Sequence, residues 1–304
     1  MFAIKYQTKL MINKGLFKVI VFFLYALSLL PMSVLYLFSD VLFYLLYYVI
    51  GYRKSVVRNN LRNSFPNKSL KELKAIEKKY FSYLADLILE IIKMISASPA
   101  FIRSRYTFSN LELVEKYEAK NQSFLFAVGH YGNWEWSAVV IPLVVKAQAL
   151  IIYKPLNNPF FNDFFTKTRE KSGTKMVKMK ATMREIVRHK NELTVSVFAA
   201  DQTPASGEVR EFVDFLNQPT PVFLGIEKIA KSTNYPVIFC DMERTGRGRY
   251  NCDFKLVCEK PTETEEMEIT KKHVQILEDR INDEPAYWLW SHKRWKYKTR
   301  KFNG

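Results

Sequence analysis

Phe124-Leu125-Phe126-Ala127-Val128 runs directly into Gly129-His130-Tyr131-Gly132-Asn133-Trp134-Glu135, joining five consecutive apolar residues to a histidine bracketed by two glycines. The apolar run reads as a buried strand, and the glycines set His130 on a tight strand-to-helix turn. In a continuous helix of about 3.6 residues per turn, positions five apart are rotated by roughly 140°, so His130 and Glu135 meet only if the histidine precedes the helix. Gly132 and Asn133 allow that break. An imidazole with an unperturbed pKa of about 6.5 accepts a proton from a hydroxyl near neutrality, and a carboxylate on its second nitrogen fixes the tautomer. No Ser, Cys or Thr lies in the turn and Gly-x-Ser-x-Gly is absent, so a substrate oxygen has to be the nucleophile. The same residues also fit a loop histidine beside a solvated first-turn glutamate favoured by the helix dipole.

Working outward, strand-like runs at 148–153, 193–199, 236–240 and 249–257 alternate with helical stretches near 159–172, 182–190 and 223–232. That alternation predicts an α/β fold, a mixed sheet flanked by helices. Ahead of the turn, Ser69-Leu70-Lys71-Glu72 forms a capping box that opens a helix with Leu73, Ile76, Tyr80, Leu84, Leu87, Ile88 and Ile91 on one side. Lys71, Lys74, Lys78 and Lys79 lie on the other side, which reads as a solvated basic face. The acidic cluster from Glu263 to Glu268 marks a helix start or an exposed loop.

No charged residue occurs from Val19 to Ser39, and apolar character resumes after Asp40 through Ile50. Twenty-one residues at about 1.5 Å each are long enough to cross a bilayer. Pro31 interrupts the segment, so it is either one membrane-anchoring helix or two helices, 18–30 and 33–50, forming a hairpin or lying in the interface. Lysines precede it and arginines follow it, which blunts the positive-inside rule, and no small-x-small cleavage site follows a short apolar core. Residues 1–52 are thus expected to be a membrane anchor and residues 53–304 the catalytic domain. The formal net charge of +16, from 46 Lys+Arg against 30 Asp+Glu, calls for an anionic partner. Nucleic acid would account for the charge but leaves the apolar segment without a purpose, so none is expected. The three cysteines show no disulfide or zinc spacing and suit a reducing compartment.

Together these residues resemble the lysophospholipid acyltransferase superfamily, in its branch of bacterial lipid A late acyltransferases. The block from Gly129 to Glu135 is similar to the first signature of that family. Tyr153-Lys154-Pro155-Leu156-Asn157-Asn158-Pro159 with Arg169 downstream, Ala200-Asp201-Gln202, and the closing Pro285-Ala286-Tyr287-Trp288-Leu289-Trp290-Ser291-His292-Lys293-Arg294-Trp295 follow in the same order. The resemblance spans nearly the whole chain. It implies a glycerolphosphate-acyltransferase-like fold and transfer of a fatty acyl chain from an acyl thioester, on acyl carrier protein, to a hydroxyl of a lipid A precursor. The reaction would take place on the cytoplasmic side of the inner membrane, with neither cofactor nor metal. Another membrane lipid, such as a lysophospholipid or an aminolipid, is the alternative acceptor. His130 would be the general base and Glu135 its orienting partner. Backbone amides at the helix start, around Gly132 and Asn133, would receive the oxyanion. Arg169 and Asp201 would bind the acceptor phosphate or shape the site. Asn157 and Thr220 depart from the family pattern and bear on acceptor contacts. The basic tail Lys293, Arg294, Lys296, Lys298, Arg300 and Lys301, interleaved with Trp295, Tyr297 and Phe302, is either suited to a headgroup interface or a solvated run.

Overall fold

The computed structural model describes residues 2–204, 209 and 211–297, with side chains from residue 15 onward. Lys298, Arg300, Lys301 and Phe302 of the basic tail lie outside the described residues. Seven strands form one mixed sheet in the order β1 (Tyr106–Ser109), β9 (Arg249–Cys258), β8 (Val237–Gly246), β2 (Phe124–Val128), β5 (Thr194–Ala199), β3 (Gln148–Tyr153) and β4 (Lys175–Lys178). Every neighbouring pair is parallel except β8 with β9. The central strands β2 and β5 are buried along nearly their whole length because helices cover both faces of the sheet, and β2 accordingly reads as a continuous apolar run. Helices α4 (Leu70–Lys93) and α7 (Trp134–Val140) cover one face, and α10 (Gly225–Thr233) and α11 (Glu268–Asp283) cover the other. This agrees with the mixed, helix-flanked sheet expected from the sequence.

Local chemistry explains several boundaries. Ser69 accepts from the Glu72 amide while Glu72 accepts from the Ser69 amide, so the capping box is formed. The predicted helix at 159–172 is α8 (Pro159–Arg169) plus one tighter turn, with Asn158 capping the amides of Phe160 and Phe161. Helix α11 begins at Glu268, at the end of the acidic cluster. A small hairpin, β6 (Glu211–Phe215) with β7 (Gln218–Val222), has no counterpart in the sequence reading, because Pro219 and Pro221 argue against a strand.

Pro31 divides the N-terminal apolar segment into α1 (Phe2–Leu29) and α2 (Met32–Tyr44), and α2 continues through a π-helical turn over Leu45–Val49. By length and composition the stretch Met32–Val49 is apolar enough to cross a membrane. It packs against α4, and the contact contains buried polar groups. Asp86 of α4 accepts from Ser39 Oγ at 2.6 Å, from Arg244 Nη2 at 2.7 Å and from Arg247 Nε at 2.9 Å. With Asp86 itself 2% exposed, removing its carboxylate leaves arginine charge in the interior without an acceptor. Asp86→Ala is therefore expected to cost about 3–5 kcal/mol of unfolding free energy in a denaturant titration, well beyond an exposed ion pair.

Candidate active site

Two parallel neighbours deliver the central pair. Val128, the last residue of β2, lies opposite Ala199, the last residue of β5. The two loops therefore leave the carboxyl edge of the sheet side by side, the usual location of ligand sites in such sheets. His130 emerges from one and Asp201 from the other. The Asp201 carboxylate takes His130 Nδ1 at 2.5 Å on one oxygen. Its other oxygen accepts the His130 amide at 2.7 Å and Trp288 Nε1 at 2.8 Å. With Nδ1–H held by the carboxylate, Nε2 carries the lone pair, and Gln202 Nε2 donates to it at 3.0 Å. The imidazole is 14% exposed and Asp201 5%, so the pair is largely shielded from water.

The turn is held in place by the closing block. Gly132 donates its amide to Tyr287 O at 3.0 Å, Leu289 donates to His130 O at 3.2 Å, and Tyr131 bridges Trp288. Gly132 has φ +60°, and a Cβ there would lie 2.7 Å from Met242 Cγ, so both the backbone and the space require glycine. Tyr83 donates to Gly132 O at 2.5 Å and Tyr106 to Asn133 O at 2.7 Å.

The expected contact between Glu135 and His130 is not made. Glu135 instead forms a two-point pair with Arg169, Nε to Oε2 at 2.8 Å and Nη2 to Oε1 at 2.9 Å. The planar guanidinium matches both carboxylate oxygens, whereas the imidazole already has Asp201. Asp201, expected from the resemblance to bind the acceptor phosphate or to shape the site, sits behind the histidine and holds its ring. Arg169, the last residue of α8, ties that helix to the first turn of α7. Asn133 is fully buried; its Oδ1 caps the Trp136 amide at 2.9 Å and its Nδ2 donates to Glu90 at 2.7 Å. Neither its side chain nor the Gly132 amide is free for a substrate.

Glu90 was not singled out by the sequence reading, and Gln202 and Trp288 were quoted there without a role beside His130. Glu90 is fully buried and accepts from Asn133, from Tyr250 at 2.6 Å and from Tyr36 at 3.0 Å. Burial pushes its carboxyl above the ordinary range, against the donors that favour its charged form. A glutamate on the apolar side of α4 was the available signal.

A small apolar cavity of about 20 Å³ reaches the turn at Gly129 and Trp134 and is walled by Val128, Val144, Phe108 and Phe254. Val128 and Ala199 are partners, so Phe198 points to the opposite face of the sheet. There a second, larger cleft of about 350 Å³ is lined by Phe198, Ile152, Met179, Met183 and Ile226.

Among relatives, a sequence model of the bacterial lipid A biosynthesis acyltransferase family matches residues 4–297. The chain belongs to that family. It is also 24% identical over 187 residues to a lipid A biosynthesis acyltransferase of Haemophilus influenzae. That alignment covers 61% of this chain and 58% of the relative's length.

The electrostatics set a pH dependence. Burial disfavours charge on His130, but the Asp201 charge, its hydrogen bond and the nearby Glu135 outweigh that and raise the pKa above 6.5. Asp201 is held well below the usual carboxylate range, burial being overcome by His130 and Trp288. His273 and His292 are instead pushed down to about 4 by burial. A base must be neutral to work, so activity is lost as pH falls through the raised value. The acid limb of kcat/KM is expected above pH 6.5, and Asp201→Asn moves it to lower pH.

Proposed function

We propose that the protein transfers a fatty acyl chain from an acyl thioester on acyl carrier protein to a hydroxyl of a lipid A precursor, at the cytoplasmic face of the inner membrane. The observation that carries this reading is the His130–Asp201 pair at the carboxyl edge of β2 and β5, with Nε2 turned outward beside an apolar cavity. Family membership supports the reaction class.

The acceptor hydroxyl displaces Gln202 from Nε2 and gives its proton to His130 as its oxygen attacks the thioester carbonyl. Asp201 stabilises the imidazolium that forms and keeps Nδ1 protonated throughout. The tetrahedral intermediate then expels the thiolate, which takes the proton back from the imidazolium. No protein nucleophile is needed. The oxyanion draws on amides of the first turn of α7 and on the displaced Gln202 carboxamide, since the Gly132 amide is committed to Tyr287.

The Glu135–Arg169 pair holds α8 against α7 and adds negative charge near the imidazole, assisting catalysis without touching Nδ1. The acyl chain enters beside Trp134 along the apolar wall of Phe108, Val140, Val144 and Phe254, widening the small cavity there as it does so. The basic surface attracts two anions, the acidic carrier protein and the acceptor phosphates.

In a purified acyl-transfer assay His130→Ala is expected to lower kcat on the order of 10²-fold or more while the fold is kept. An unchanged rate rejects the mechanism. Val144→Phe narrows the cavity and is expected to shift the donor preference to shorter acyl chains, read by competing thioesters of different length in one reaction. Mass spectrometry of lipid A from cells with and without the gene tests the acceptor: a missing acyl chain supports it, and an unaltered lipid A contradicts it.

A further inference from the structure

We infer that the N-terminal helices do not cross the bilayer: α2 and its π-helical turn lie flat on an anionic lipid surface, exposing one stripe to lipid and the opposite stripe to α4. The inference rests on the membrane association included in the function proposed above.

Residues Met32–Val49 are long enough to span, yet they are fastened to α4 at both ends and in the middle. At the start, Lys93 Nζ donates to Ser28 O and Leu30 O, each at 3.0 Å, and Ser96 Oγ donates to Ser28 O at 2.7 Å. These donors satisfy carbonyls released by the Pro31 break. In the middle, Tyr36 reaches Glu90 at 3.0 Å, Ser39 reaches Asp86 at 2.6 Å, and Arg247 pairs with Asp40 at 2.6 Å. At the end, the Tyr47 ring packs on Phe81 with centroids 5.3 Å apart, and Lys54 Nζ sits 3.6 Å above the Tyr47 ring. The contacts descend α4 from residue 96 to residue 81 as α2 ascends, so the two helices run antiparallel along the whole length of α2.

Helix α4 is fixed to the catalytic turn by Glu90, whose carboxylate holds Asn133 and whose carbonyl accepts Trp136 Nε1 at 2.8 Å. Inserting α2 across a bilayer would therefore either tear it from α4 or carry Asp86, Glu90, Lys93, Arg244 and Arg247 to membrane depth. Isolated charges there are costly.

The face of α2 turned away from α4 carries Leu37, Phe38, Val41, Tyr44, Tyr48 and Val49, all exposed. Their spacing forms one continuous stripe along a helix. Tyrosines on an apolar stripe suit the headgroup boundary, where ring and hydroxyl find different surroundings. Helix α1 is held on the same body by Phe17, which packs on Phe160 and Phe161 of α8 with centroids 5.5 and 5.1 Å apart. It too exposes aromatic residues, Phe22 and Phe23. An anionic lipid surface is the occupant because the chain carries a net charge of +16 and the exposed basic residues Arg53 and Arg62 follow the stripe.

The test places single cysteines before, within and after the segment. Gly15→Cys, Ser33→Cys and Ser55→Cys are all at exposed positions, while Cys240, Cys252 and Cys258 are buried and invisible to a membrane-impermeant maleimide. In inside-out membrane vesicles containing the full chain, all three introduced cysteines are expected to label from outside the vesicle, and none from the lumen. Opposite sidedness of positions 15 and 55 shows a single crossing and overturns the inference. Lumenal labelling of position 33 alone shows a hairpin and overturns it as well, as does protection of position 33 from both sides. Loss of the protein from anionic vesicles, with dimerisation through the stripe in their absence, assigns the stripe to a second copy instead. Acyl transfer measured on the same vesicles separates the two readings: labelling of all three from outside without transfer leaves the docking intact and removes the proposed function.

Discussion

The parallel pairing of β2 with β5 is the constraint on which the site depends. It brings a histidine and an aspartate that are 71 residues apart in the chain to one edge of the sheet. Asp201 then performs three jobs at once. It orients the ring through Nδ1, fixes the loop through the His130 amide, and anchors the closing block through Trp288. A carboxylate accepting three hydrogen bonds stays ionised in a dry setting, which keeps the imidazole basic.

A second layer of buried polar groups lies behind the first. Asp86 and Glu90, one turn apart on α4, gather Ser39 and Tyr36 from α2, Arg244, Arg247 and Tyr250 from β8, β9 and the bend between them, and Asn133 from the catalytic turn. Such clusters contribute little net stability compared with apolar packing, but they fix which surfaces meet, because any mismatch leaves a charge unpaired. The His130 turn and α2 are in this way tied into one assembly through α4. Under the proposed function, the seating of that assembly on the membrane sets how an acceptor meets His130.

Much of the fold was legible in the sequence, for identifiable reasons. Strands β2, β3 and β5 are apolar runs bounded by turn residues, Ser69 with Glu72 announces α4, and Pro31 divides the N-terminal segment where the chain does break. His130 was recognisable from its glycine-bracketed turn. Its partner was not, because choosing between Glu135 and Asp201 needs the strand order, and strand order is a long-range property. The pairing of Glu135 with Arg169 is hidden for the same reason, as the residues stand 34 apart on different helices. That the Asn133 side chain is spent on a buried glutamate is likewise not visible in local sequence. Trp295 and Thr220 were read separately, although the indole donates to that hydroxyl at 2.7 Å and fastens the closing block to β7.

The central claim is that Asp201, and not Glu135, sets the protonation state of His130. Nitrogen-15 NMR of the histidine side chains tests it directly, since the chain holds only four histidines and the two ring nitrogens give distinct shifts in each tautomer. The account predicts that neutral His130 carries its proton on Nδ1 and titrates above 6.5. It also predicts that Glu135→Gln leaves this tautomer in place while Asp201→Asn abolishes it. A proton on Nε2 in the unmodified protein, or a tautomer that changes with Glu135 and not with Asp201, would contradict it.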